Sequence, residues 1–154
     1  MIVLSHLCLS DRLEFSPFAH NLSSEYLEGV PHNDRSRDLR FKNFRGLDLS
    51  NRDFSGSFLH DADFHGANLA NTNFEEAFLN GANLSEANLK NANFSYARLR
   101  SAYLRGACLD GACFYRANLM GAKLDGATMR GTDFSLAFLL GATFNDADLT
   151  EVTF

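Results

Sequence analysis

The sequence lacks most of what an enzyme needs. It has no phosphate-binding glycine loop, no serine elbow and no cysteine pair spaced to hold a metal. It has no tryptophan, and its two prolines, Pro17 and Pro31, both lie ahead of residue 37. They break any long element in the first 36 residues, and none interrupts the chain after them. No apolar run is long enough for a membrane-spanning helix, so no membrane role is expected. Residues 1–9 are apolar, but without a basic start or a clear small-residue cleavage site they do not read as a signal peptide. The net charge of −5 has the wrong sign for direct nucleic-acid binding. A chain of 154 residues forms one domain.

What the sequence does have is one motif, repeated. From Leu39 to Phe154 a large apolar residue occupies every position ending in 4 or 9, about two dozen in all. Each of these centres is Leu or Phe, apart from Met129. Two residues earlier stands a small one, most often Ala, as at Ala62, Ala67, Ala92 and Ala147. Between them lies a polar residue such as Asp63, Asn68 or Asn93. A period of five suits neither a helix nor a long strand. Small–polar–large is locally an in–out–in strand, and the two residues that follow suit a turn. One unit cannot bury its own apolar residue, so units must stack as a solenoid.

The centres also reveal how many units form a turn. Phe54, Phe74, Phe94, Phe114, Phe134 and Phe154 are twenty apart, as are Leu39, Leu59, Leu79, Leu99, Leu119 and Leu139. A period of twenty means four units per coil and about six coils, with like centres stacked on like. The first coil departs from this pattern. Arg37, Lys42, Leu47 and Arg52 hold positions that should be small and inward, so a distorted first coil is expected.

The units Ala67-Asn68-Leu69, Ala92-Asn93-Phe94 and Ala147-Asp148-Leu149 make the chain resemble the pentapeptide repeat family over about three quarters of its length. That resemblance implies an all-β fold, a right-handed quadrilateral β-helix. It would occupy residues 37–154, with residues 1–36 as a non-repeat N-terminal cap. The resemblance does not imply one function. Some members bind DNA gyrase by imitating duplex DNA and confer quinolone resistance, and that imitation needs a strong negative field. Here residues 37–154 carry 12 Lys and Arg against 14 Asp and Glu. Gyrase is therefore an alternative partner and not the favoured one. A further alternative is a structural domain of a larger regulator or effector.

The expected function is a non-catalytic scaffold for protein–protein contact, needing no cofactor or metal. Asp and Asn recur on every coil, so the repeat explains them better than acid–base chemistry does. His60 and His65 lie near Asp61 and Asp63 but on adjacent faces, a poor arrangement for a shared metal. The candidate partner surface follows the outward column Asp38, Phe58, Phe78, Arg98, Asn118, Phe138, where three residues are Phe instead of small and polar. Met120, Leu136 and Leu140 lie beside it, and Tyr96 and Tyr115 occupy the next corner. At the end of the sequence Phe144, Leu149, Val152 and Phe154 form a candidate end-to-end contact, which would make a homodimer. Cys108 and Cys113 point outward on different faces, badly placed for a bridge. Unpaired thiols suit a reducing cytosol, so a cytoplasmic location is expected.

Overall fold

The computed structural model describes residues 38–154. The expected N-terminal cap, residues 1–36, and Arg37 lie outside the described residues. From Asp38 onward the chain repeats a single-residue bridge and a two-residue corner, without a helix. Every bridge is parallel and joins residues twenty apart. Four ladders result, beginning at Asp38, Asn43, Asp48 and Asp53, and they define faces one to four of the coil.

Each corner is a four-residue turn. In one, the Ala62 amide donates to the Leu59 carbonyl at 3.1 Å, across His60 and Asp61. The third residue of each turn has a positive φ, as a type II turn requires. Between turns of the coil the hydrogen bonds keep one pattern. Leu69 N–H donates to the Asn88 carbonyl at 2.7 Å, and Asn88 N–H donates to the Ala67 carbonyl at 2.9 Å. The backbone is thereby satisfied without long strands.

The interior is filled by the centres and their small neighbours. Phe54, Phe74, Phe94, Phe114, Phe134 and Phe154 form one continuous column, with neighbouring rings 4.7–5.8 Å apart. Phe44 and Phe64 stack at 4.8 Å in a second column. The inward alanines from Ala62 to Ala127 are buried and leave room for the rings, and Ala137, Ala142 and Ala147 are half-buried. Where Thr replaces Ala, its hydroxyl bonds to a carbonyl of the preceding turn: Thr72 to Leu49 at 3.1 Å, and Thr132 to Leu109 at 2.8 Å.

The first coil is not distorted. Asp38, Asn43, Asp48 and Asp53 bridge in the same register as every later turn. Leu47 is buried, and Lys42 and Arg52 are half-buried. The long aliphatic stems of Lys and Arg let the backbone keep its path while the charged heads reach outward.

Phe94 is fully buried between Phe74 and Phe114, whereas Phe154 remains 65% exposed. Phe94→Ala should cost about 3–5 kcal/mol through lost burial and a cavity. Phe154→Ala should cost no more than about 1 kcal/mol. Urea unfolding of the two variants, read from the midpoint at unchanged slope, checks the contrast.

Candidate interaction surface

On faces two, three and four the outward side chains of the first three turns are joined within the coil. On face three Asn68 donates to Asp48 at 2.9 Å and Asn88 to Asn68 at 3.0 Å. On face four Asn73 donates to Asp53 at 3.2 Å and Asn93 to Asn73 at 3.1 Å. On face two Asn83 donates to Asp63 at 3.0 Å. The same oxygens also accept corner amides, as Asn68 does from Ala70 and Asn83 from Ser85. These ladders stabilise the scaffold and leave few groups for a partner.

Face one is built differently. Phe58 stacks on Phe78 with ring centroids 4.9 Å apart, and the Arg98 guanidinium lies 4.6 Å above the Phe78 ring. Phe58, Phe78 and Arg98 thus form one continuous stack along the axis. Asn118 bridges Arg98 to Phe138 in the backbone ladder and separates that stack from a second cluster. This second cluster is Leu136, Phe138 and Leu140, which are 60%, 61% and 76% exposed. Met120 is half-buried between the two. On the corner before face one, Tyr96 and Tyr115 meet edge to face at 5.7 Å, and the Arg116 guanidinium lies 5.5 Å from the Tyr115 ring. Sequence reasoning missed Arg100 and Arg116 as members of this surface. It also missed Tyr103, exposed on face two where the pattern calls for Asn. The available signal was each residue's departure from the consensus of its own column.

At the far end, Phe144 and Phe154 both pack edge or face onto Phe134, at 6.1 and 5.8 Å. Leu149 is exposed and Val152 half-buried. These four residues share one end of the coil, about one turn from Leu136, Phe138 and Leu140.

The histidines do not meet. His60 lies beside the Phe78 ring at 6.0 Å, while His65 approaches Glu86 at 3.7 Å. Among the described residues no group of three or more His, Cys, Asp or Glu forms a metal-sized cluster. A hollow of about 50 Å³ is lined by Ser55, Gly56, Glu75 and Glu76. It is far smaller than the roughly 300 Å³ or more of a small-molecule site. No helix among the described residues is long and apolar enough to cross a membrane.

The cysteines require a correction. Cys113 is free, but Cys108 is buried and disulfide-bonded. Reading only the solenoid register placed both thiols on open faces and missed this bond. The thiol argument for a reducing compartment therefore no longer stands.

Residues 43–81 and 82–119 match the family described as pentapeptide repeats (8 copies), and residues 109–153 match pentapeptide repeats (9 copies). Among solved structures, the chain is similar to a pentapeptide repeat protein from the Arabidopsis thaliana thylakoid lumen. Identity is 32% over 80% of this chain and 70% of that one, with a TM-score of 0.40. It is also similar to HetL, a pentapeptide repeat protein involved in heterocyst differentiation regulation in Nostoc sp. strain PCC 7120. There identity is 29% over 74% of this chain and 73% of that one, with a TM-score of 0.29. QnrB1, a plasmid-mediated fluoroquinolone resistance protein, is 23% identical over 78% of each chain, with a TM-score of 0.34. No curated protein shows significant sequence similarity to the chain.

Electrostatics tie the last turn to its neighbour. Arg130 Nε donates to Asp148 at 2.8 Å, and the Thr150 hydroxyl and amide donate to the same carboxylate. The Thr150 hydroxyl first, then Arg130, hold the Asp148 carboxyl down at about 2 from an ordinary 3.8. A depressed carboxylate contributes stability that is fully present above pH 3.8 and is lost as pH falls through about 2. An NMR titration of the side-chain carboxyls should place the Asp148 midpoint near 2. Arg130→Gln should move that midpoint upward.

Proposed function

The chain belongs to the pentapeptide repeat family, and from that premise we propose that it is a non-catalytic scaffold mediating protein–protein contact. We read the coil as right-handed, with about six turns, as in the family. The observation that carries the reading is the contrast between faces. Over their first three turns the other three faces tie outward groups into polar ladders, while on face one Phe58, Arg98 and Phe138 are exposed and Phe78 is half-buried. The scaffold has no need of aromatic rings at those positions, since Asn serves there on the other faces. Exposed rings on a rigid convex surface suit recognition by a protein.

A second contact belongs to the same reading. Phe144, Leu149, Val152 and Phe154 present apolar surface at one end of the coil, suited to a second copy meeting it end to end. The cytoplasm remains the proposed setting, and the Cys108 disulfide is the observation that weighs against it. The gyrase alternative draws on Asp133, Asp146, Asp148 and Glu151, with no Lys or Arg after Arg130. Arg130 neutralises Asp148, however, and Arg98, Arg100 and Arg116 stand mid-rod where a mimic of duplex DNA needs acid.

Light scattering after size exclusion, over a concentration series, should show a mass rising from 17.1 kDa toward twice that value. Leu149→Asp with Phe154→Asp should hold the chain at the monomer mass. A wild-type chain that is strictly monomeric removes the end contact and leaves face one as the whole proposal. If Phe78→Asp with Phe138→Asp changes neither self-association nor any protein binding of the intact chain, the scaffold reading is wrong. A supercoiling assay with purified gyrase that shows no response removes the alternative. Thiol labelling in intact cells that finds Cys108 oxidised overturns the cytoplasmic setting.

A further inference from the structure

Resting on the scaffold reading, we propose that face one binds an acidic protein segment with an apolar residue on either side of its carboxylates. Two independent observations support this. The first concerns ion pairing. Arg40, Arg45, Arg105 and Arg130 each meet a carboxylate of the coil, at 2.7, 3.1, 3.3 and 2.8 Å. Arg52 is half-buried in the first turn. The remaining described arginines, Arg98, Arg100 and Arg116, are exposed and make no ion pair. All three lie on face one or its two corners, within two successive turns whose backbones are about 5 Å apart along the axis.

The second observation concerns the backbone. The left-handed position of every corner favours Gly, and Asn or Asp tolerates it best among the rest. Three corners follow that preference for most of their length. The corner before face one does not. Beyond Gly56 its left-handed residues are Glu76, Tyr96, Arg116 and Leu136, with φ of 59°, 60°, 56° and 59°. Four successive bulky residues there each cost the fold about 1 kcal/mol relative to glycine. Backbone cost concentrated beside one surface points to a use for those side chains.

The layout also selects the occupant. Along face one, the cations stand between Phe58 and Phe78 on one side and Leu136, Phe138 and Leu140 on the other. From Phe58 to Phe138 is four turns, or about 19 Å. An extended segment of about six residues spans that distance, carrying apolar side chains at its ends and carboxylates at its middle. A second copy is a poor occupant of this face, because two-fold pairing through it would set arginine cluster against arginine cluster. A nucleic-acid strand is also poor. Its phosphates need cations along the whole track, and here Glu75 and Glu76 lie on the bordering corner next to the cationic turns.

The test uses the full chain and a synthetic peptide, Phe-Ser-Asp-Glu-Asp-Ser-Leu, capped at both ends. Its comparisons are the isosteric Phe-Ser-Asn-Gln-Asn-Ser-Leu and an oligo-dT of equal length. Amide chemical-shift mapping at low salt should place the acidic peptide on Phe58, Phe78, residues 96–118 and residues 136–140. Its affinity should exceed that of the neutral peptide by about tenfold or more, and should fall as salt is raised. Arg98→Gln, Arg100→Gln and Arg116→Gln combined should remove that difference while leaving the circular dichroism spectrum unchanged. Arg98→Lys, Arg100→Lys and Arg116→Lys combined should retain most of it. Equal binding of the acidic and neutral peptides on face one overturns this proposal and leaves the scaffold reading standing. Stronger binding of oligo-dT overturns it in favour of single-stranded nucleic acid. No shift on face one with any probe also overturns it. The scaffold reading itself is decided separately, by the Phe78 and Phe138 variants.

Discussion

The structure depends on one backbone constraint, a left-handed residue at every fifth position. From Phe41 to Glu151 each corner carries a positive φ, at ten glycines and thirteen other residues. Each such residue turns the chain through a corner so that the next small–polar–large unit lies on a new face. Four corners bring the chain back above its start, which sets the twenty-residue ladder. The non-glycine corners cost about 1 kcal/mol each, and the regular hydrogen bonding between turns offsets that cost. A substitution at a corner therefore acts on register, whereas one at a centre acts on packing.

Packing then follows from register. Once residue twenty lies over residue zero, identical centres stack, and Phe on Phe fills the narrow interior better than an alternation of sizes would. The Phe54-to-Phe154 column is the result, with neighbouring rings nearly parallel through its middle. The same register turns outward Asn residues into ladders, each amide donating to the oxygen one turn before. The ladders end where the sequence departs from Asn. Cys108 ends the one on face three, Cys113 the one on face four and Tyr103 the one on face two.

This hierarchy explains which features were legible in the sequence. The period, the four faces and the stacked centres follow from residues that recur, and recurrence can be seen without coordinates. The regular first coil was missed because Lys42 and Arg52 were read by charge alone, ignoring the aliphatic stems that let them sit half-buried. The Cys108 disulfide was missed because a repeat register describes only contacts within the coil. On face one, Phe58, Phe78 and Phe138 stood out as apolar residues in a polar column. Arg100 and Arg116 were legible only as basic charge in the middle of the rod, because an arginine on a surface is ordinary until its neighbours are known. Only the structure shows that four other arginines are paired and these are not.

A repeat scaffold provides its own baseline for judging function. On an irregular fold, an exposed phenylalanine has no internal reference. Here each outward position has several equivalents, and most show what the scaffold alone requires: Asn or Asp in the ladder, Gly or Asn at the corner. Departures scattered evenly over the four faces would be drift. They are not scattered evenly. The aromatic stack, the unpaired arginines and the run of bulky left-handed corner residues all fall on face one and its borders. Packing does not require them, since those side chains are wholly or partly in water. Hydrogen bonding does not require them, since Asn serves that purpose on the other faces. These departures support the proposed contact with something outside the coil, and the order of apolar, cationic and apolar groups along the axis describes the complement it would present.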